Sequence, residues 1–430
     1  MTDDNRVGPP SVADHRERVG ALLPALAPEL MQLTGALGSA VAETIAAGRD
    51  LPIFDNSQMD GFAVRVADVT GVGAPGSRLT VVGDIAAGSA PDAAVEPGTA
   101  IRIMTGAPIP DGADAVVPVE WTDAPRGSSS APDDVRATVP DGTTVTPGLY
   151  IRSVGADVRA DETVLERGSV LDARAIGMLA ALGYDRVPVF RRPRVVVMAT
   201  GTELVAPGSR LEPGQIFESN GQMLVAAFAE IGIDAELVAA VSDDADELRR
   251  ILGQAASRAD LIVTSGGVSA GAYDVVKDVL RRGDGMWFGH IAMQPGGPQG
   301  AGTIDAAGRA VPVLCLPGNP VSTFVSFELF IRPAVLAMTG RSDLDRAVIR
   351  ARVAEGFDSV RGKTQIVRAV VRAEPDGVPT VSMLGGHGSH LLTSLARANA
   401  LMPVPADTVR VEAGDELDCV MLSTLPGGSK

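Results

Sequence analysis

The chain has 430 residues, too many for one ordinary hydrophobic core, so two to four domains are expected. Its 45% hydrophobic content allows large cores, and a mean hydropathy of +0.18 reflects Ala and Val; no uninterrupted apolar run is read as long enough to cross a bilayer. A net charge of −16 argues against nucleic acid as the main partner, yet leaves room for a small anion held by backbone N–H groups or through a divalent metal.

The start, Met1-Thr2-Asp3-Asp4-Asn5, lacks the basic stretch and apolar run of a signal peptide, so no secretion is expected. Residues 1–18 are polar, carry Pro9-Pro10, and read as a disordered tail. From Val19 to Gly48 a helix is expected, interrupted by Pro24 and Pro28, with Leu37, Val41, Thr44 and Ile45 on one face. The segment Leu51 to Val64 mixes turn formers and acids with Ile53, Phe54 and Met59 at no clean period. It reads as a binding loop, with a packed Asx-turn loop as the competing reading. Short strands then follow at 79–82, 99–103, 115–119 and 135–139, separated by Gly, Pro and Asp as in a small β domain. Residues 171–182 form a predicted helix ending at Gly183. The β domain, 51–148, is thus inserted between two connectors, 19–50 and 149–190.

From Arg194 strand and helix alternate. Val195 to Ala199, Leu237 to Val241, Leu261 to Val263 and Val313 to Leu316 are predicted strands, and helices begin near Asn220 and Ser242. This alternation predicts a mostly parallel, three-layer α/β domain over 191–341. Residues 342–430 return to short strands and turns, a second small β domain. Cys315 and Cys419 lie far apart in apolar runs and read as reduced core thiols, in keeping with a cytoplasmic location and no membrane.

The stretch Asp260 to Asp274 organises the chemistry. A buried strand runs into Ser265-Gly266-Gly267, whose backbone can turn sharply and offer N–H groups to an anion where open α/β sheets bind ligands. Glu203, Asp243, Asp244 and Asp274 all follow predicted strands, so they can converge at one sheet edge and hold Mg²⁺ against a phosphate. For Asp243 and Asp244 the competing reading is a helix start, where acids complement the dipole. The Pro317-Gly318-Asn319-Pro320 turn either shapes the same cleft or makes a rigid strand-to-helix corner. The four histidines have no zinc-ligand spacing with cysteine, and neither a P-loop nor a dinucleotide fingerprint occurs.

Four motifs carry a resemblance that covers nearly the whole chain from about residue 19. Residues 52–63 (PIFDNSQMDGFA), 102–107 (RIMTGA), 264–269 (TSGGVS) and 316–322 (LPGNPVS) resemble, in order, the motifs of MoeA-type molybdopterin molybdenumtransferases, the family of the gephyrin E domain. The resemblance implies a homodimer of subunits with an elongated linker domain, an inserted β domain, a molybdopterin-binding domain and a barrel-like C-terminal domain. It implies Mg²⁺-dependent insertion of molybdate into adenylylated molybdopterin with release of AMP, at a site shared between subunits, and a possible adenylyltransferase partner. By motif position Asp60 and Thr105 would come from the inserted domain. Glu203, Asp243 and Asp274 would hold metal, and Ser265, Gly266, Gly267, Ser269, Pro317, Gly318 and Asn319 would line the cofactor cleft. Ser322, Arg368 and Ser389 would receive molybdate. One departure stands out: where the family carries lysines, this chain has Gln294 and Gly297, with His290 nearby. Two alternatives follow, a molybdopterin adenylyltransferase, because the Ser-Gly-Gly domain is shared, and a non-catalytic scaffold paralogue, because the lysines are missing.

Overall fold

The computed structural model describes residues 8–70, 78–127, 129–241, 244–268, 275–281 and 285–423. They fall into two compact units, Thr44–Arg167 with Ala173–Arg186, and Met1–Glu43 with Gly168–Asp172 and Val187–Lys430.

The first unit is built on a five-stranded sheet in the order Ala115–Pro118, Gly61–Val64, Thr99–Ile103, Arg78–Ile85 and Asp134–Arg136. The predicted strands of this region are all present, but the binding-loop reading of 51–64 needs correction. The irregular stretch ends at Asp60, and Gly61–Val64 is a fully buried strand between two partners. Gly61 lets it approach its neighbour, because a Cβ there would lie 2.1 Å from the Val117 carbonyl oxygen. The helix Ala173–Ala181 ends as the sequence suggested, with Gly183 at φ +87° and its N–H donating to the Ala180 carbonyl at 3.0 Å.

In the second unit two sequence readings fail. The helix Val12–Leu22 begins inside the stretch read as a tail through Arg18, opened by a capping box in which Ser11 and Asp14 satisfy each other's backbone N–H. No helix includes Leu37 and Val41; Gly38 takes φ +76°, and the Val41 and Ala42 N–H groups donate to the Ser169 and Pro188 carbonyls. Bridges replace the expected turn of helix because Ala40, Val41 and Ala42 are all buried, which a single helical stripe would not allow.

The centre of this unit is a six-stranded sheet in the order Ala235–Val241, Val195–Thr200, Leu261–Ser265, Arg309–Leu316, Pro298–Ala306 and Met286–His290. The first four strands are parallel, and at one edge Pro298–Ala306 runs antiparallel between Arg309–Leu316 and Met286–His290. Alternate residues feed two cores. Val195, Val197, Leu261 and Val263 pack with Leu224 and Phe228 of the helix Asn220–Glu230, while Val196, Met198 and Ile262 pack with Leu248 and Leu252 of the helix Ala245–Ala256. Helical layers therefore cover both faces, as a parallel sheet requires. The helical segment Pro320–Met338 spans 19 residues and passes for a membrane span by length and mean hydropathy alone; Glu328 and Arg332 interrupt it, and 78% of its apolar window is buried in this unit's core.

The C-terminal region closes five strands into a barrel: Thr364–Arg372, Thr380–Met383, Val348–Val353, Glu416–Met421 and Ala400–Val404, the last pairing back onto the first. Closure leaves no free edge. Cys315 and Cys419 are buried free thiols, and desolvation pushes them up to about 12 and about 11.

Candidate active site

Val195–Thr200 lies between Ala235–Val241 and Leu261–Ser265, so the sheet order reverses direction between the first and third of its parallel strands. Ligands in open α/β sheets sit outside the carboxyl ends of the strands at such a switch point. A cleft of ≈ 550 Å³ lies there, with Thr200, Glu203, Asn220, Ser265, Gly266 and Ser322 among the residues on its walls. Gly267, Pro317, Gly318 and Asn319 line it as well, so the structure brings together eight of the proposed site residues.

The two turns are locked against each other. Gly266 takes φ +99°, and a Cβ there would meet the Thr200 carbonyl oxygen at 2.6 Å, so only glycine brings the two strand ends this close. Its N–H donates to the Leu316 carbonyl at 3.0 Å. The Thr323 hydroxyl donates to the Pro317 carbonyl at 2.7 Å, and the Ser265 hydroxyl is buried against the same carbonyl. Ser265 and the Gly266 amide are thereby engaged within the protein. The Gly267 N–H has no partner among the described residues.

The Pro317–Pro320 corner both shapes the cleft and starts a helix, so the two sequence readings of it coincide. Asn319 precedes Pro320, but its side chain makes no cap. Instead its Nδ2 donates to the Ser389 hydroxyl at 2.9 Å, and the Val321 N–H donates to the Ser389 carbonyl at 3.1 Å. Ser389 thus ties the barrel to the wall that carries Ser322. Arg368 lies beside it, only 2% exposed, with Nη1 donating to the Gly388 carbonyl at 2.9 Å and Nη2 to that of Gly386. Its Nε has no partner among the described residues, and desolvation lowers its pKa. Among the described residues no carboxylate pairs with it. A buried guanidinium without a counter-ion is costly unless an anion completes it.

Glu203 lines the cleft with its carboxylate folded over Gly201, where a Cβ would lie 2.6 Å from Oε2. Asp244 is resolved by the structure as a helix cap, accepting from the Asp246 and Glu247 N–H groups at 2.9 and 2.8 Å. Asp243, Ser269 and Asp274 lie outside the described residues. Among the described residues no group of three or more His, Cys, Asp and Glu side chains could enclose a metal ion.

Asp60 and Thr105 belong to the other compact unit. The Thr105 N–H and hydroxyl donate to Asp60 Oδ1 at 2.7 and 2.8 Å and hold this exposed carboxyl below the ordinary carboxylate range. Gln294 pairs in register with Gln365, and a Cβ at Gly297 would sit in ordinary contact, 3.6 Å from the Ile291 and Met293 carbonyl oxygens. Sequence reasoning passed over Glu218 as a cleft residue and took Asn220 only as a helix start. The polar triple Glu218-Ser219-Asn220 between the apolar pair Ile216-Phe217 and a helix was the available signal.

Three family models match in order along the chain. The MoeA N-terminal region (domains I and II) matches residues 10–183, a probable molybdopterin binding domain matches 196–337, and the MoeA C-terminal region (domain IV) matches 350–422. Molybdopterin molybdenumtransferase 2 of Mycobacterium tuberculosis is 44% identical over 95% of this chain and 98% of that protein. The molybdopterin molybdenumtransferase of Staphylococcus aureus is 33% identical over 90% of each. A crystal structure of the molybdopterin biosynthesis MoeA protein from Pyrococcus horikosii superposes with a TM-score of 0.78 at 30% identity, covering 97% of this chain and all of that one. The motifs, the domain order and the full-length likeness agree: the chain belongs to the MoeA family of molybdopterin molybdenumtransferases.

Proposed function

We propose that this protein is a molybdopterin molybdenumtransferase of molybdenum cofactor biosynthesis, which inserts molybdate into adenylylated molybdopterin and releases AMP. The observation that carries the reading is Arg368: a buried guanidinium with no carboxylate, beside the Gly386–Ser389 loop that is bonded to the cleft wall. A tetrahedral dianion is the ligand such a group suits, with the Ser322 and Ser389 hydroxyls as further donors. Gly267 lines the cleft, and its N–H suits the phosphate of the adenylylated substrate. Because the MoeA N- and C-terminal regions account for the rest of the chain, the adenylyltransferase and scaffold alternatives are not favoured.

Mg²⁺ belongs to the proposal. Glu203 supplies a hard oxygen donor at the cleft with no ion-pair partner among the described residues, which fits such a cation, and Asp243 and Asp274 are the other acids assigned to it by motif. Bound there, it would neutralise charge on the phosphoanhydride as AMP leaves. This chain's own groups then bind and orient: backbone amides hold the phosphate, and Arg368 with the serines holds molybdate. We propose further that the protein acts as a homodimer in the cytoplasm, with Asp60 and Thr105 of one subunit completing the cleft of its partner, and with an adenylyltransferase as a possible source of substrate. The test of the reaction is AMP release from adenylylated molybdopterin supplied with molybdate and Mg²⁺. Arg368→Ala should lose most of that release and bind molybdate at least tenfold more weakly. Absence of AMP release by the folded wild-type protein rejects the reading.

A further inference from the structure

The two glycine turns that wall the cleft end neighbouring parallel strands and are joined by the Gly266 N–H and the Leu316 carbonyl, and a side chain from a third element bridges them as well. Asn220, the first residue of the helix Asn220–Glu230, reaches both. Its Nδ2 donates to the Gly318 carbonyl at 2.7 Å and to the Ser265 hydroxyl at 2.9 Å. A carbonyl can only accept, so Gly318 fixes which end of the carboxamide faces the turns. Both amide hydrogens are then consumed, one on each wall. Among the described residues the carboxamide oxygen is left buried without a partner, as is the hydroxyl of Thr200, which also lines the cleft. Buried polar atoms left unpaired oppose stability, so a side chain kept in that state calls for a reason other than folding.

We infer that Asn220 is a positioning residue of the transferase reaction: its amide clamps the Ser265-Gly266-Gly267 turn to the Pro317-Gly318-Asn319 turn and so sets the spacing at which backbone amides receive the substrate phosphate. This rests on the function proposed above. Asp at this position has the same shape but would set a carboxylate oxygen against the Gly318 carbonyl, forcing the walls apart.

A matched control is Asn399, a buried asparagine in the barrel region whose carboxamide bonds both the N–H and the carbonyl of Val371, at 2.8 and 2.9 Å. The experiment compares Asn220→Asp and Asn399→Asp with wild type by thermal melting, by AMP binding, and by KM and kcat for AMP release. The expected result is a lower Tm in both variants, with AMP affinity roughly tenfold weaker and KM roughly tenfold higher only for Asn220→Asp, since loss of preorganisation acts on binding. Equal AMP affinity and KM in Asn220→Asp and wild type overturn the clamp, and so does an equal change in Asn399→Asp. If wild type itself releases no AMP, the proposed function has failed, and the AMP-binding comparison alone still decides the clamp. If Asn220→Asp does not fold, Asn220→Ser, which keeps one short donor, gives the same comparison.

Discussion

At Gly297 the chain lacks the lysine that the motif resemblance implies there, and an added Cβ would meet only ordinary contacts. The residue has an ordinary φ, its nearest neighbours to an added Cβ are at 3.6 Å or beyond, and the next residue, Pro298, lines the cleft. The glycine is therefore not demanded by packing. Gly297→Lys should fold normally and strengthen molybdate binding about tenfold, the scale of one charge-assisted hydrogen bond. Isothermal titration with molybdate reads this directly, and unchanged affinity would mean that position 297 does not face the oxyanion. Arg368 was legible as a motif match, but its isolation from any carboxylate was not, because a sequence does not show which acids fail to arrive. Asp244 illustrates the converse. Its place after a strand suggested a metal site, yet two backbone N–H groups of its own helix occupy the carboxylate.

Among the elements, the parallel strands and the helices around them were readable because alternation of apolar runs with helical stripes leaves little choice of architecture. The antiparallel edge was not. Pro298–Ala306 is rich in glycine, which lowers strand propensity, but a Cβ at Gly300 would fall 2.5 Å from the Phe288 ring and one at Gly302 would fall 2.0 Å from the Gly285 carbonyl oxygen. Those glycines record a close packing that only the neighbouring strand reveals. The N-terminal helix was missed for a similar reason. It buries only two residues, His15 and Val19, amid charges that read as solvated. His15 is 1% exposed, 5.3 Å from the Trp287 ring and 4.7 Å from that of Phe330, while Arg18 covers Trp287 at 4.0 Å. Burial, with the Arg18 charge beside it, lowers the His15 pKa from 6.5 to about 4. The unfolded chain therefore binds the extra proton first as pH falls. The stability His15 contributes is complete above pH 6.5 and is lost progressively between 6.5 and 4. Relative to His15→Phe, wild type should lose roughly 2 kcal/mol between pH 7 and pH 4.5 in urea unfolding. Parallel stability profiles would show that the imidazole is not buried as described.

For the whole molecule the open question is which chain supplies Asp60 to a given cleft. Asp60 and Thr105 form one bonded pair in one compact unit, and Glu203, the glycine turns and Arg368 lie in the other. The pair has features of a prepared site: the carboxyl is exposed, yet two hydrogen bonds hold it ionised. We propose that it serves the partner's cleft, which makes a prediction that single variants cannot. Asp60→Asn and Arg368→Ala homodimers should each release AMP poorly. Subunits mixed at equal ratio and exchanged would place half of all dimers as heterodimers. In each of these, one cleft would combine two intact halves and the other two damaged ones. About a quarter of wild-type activity should return, following from two-fold symmetry and random pairing. If each subunit instead completes its own cleft, every cleft in the mixture carries one lesion and no activity returns. Size-exclusion chromatography with light scattering, run on the same mixture, establishes that dimers are present. Recovery near a quarter then assigns the site to two chains, and recovery of nothing from a dimeric sample assigns it to one.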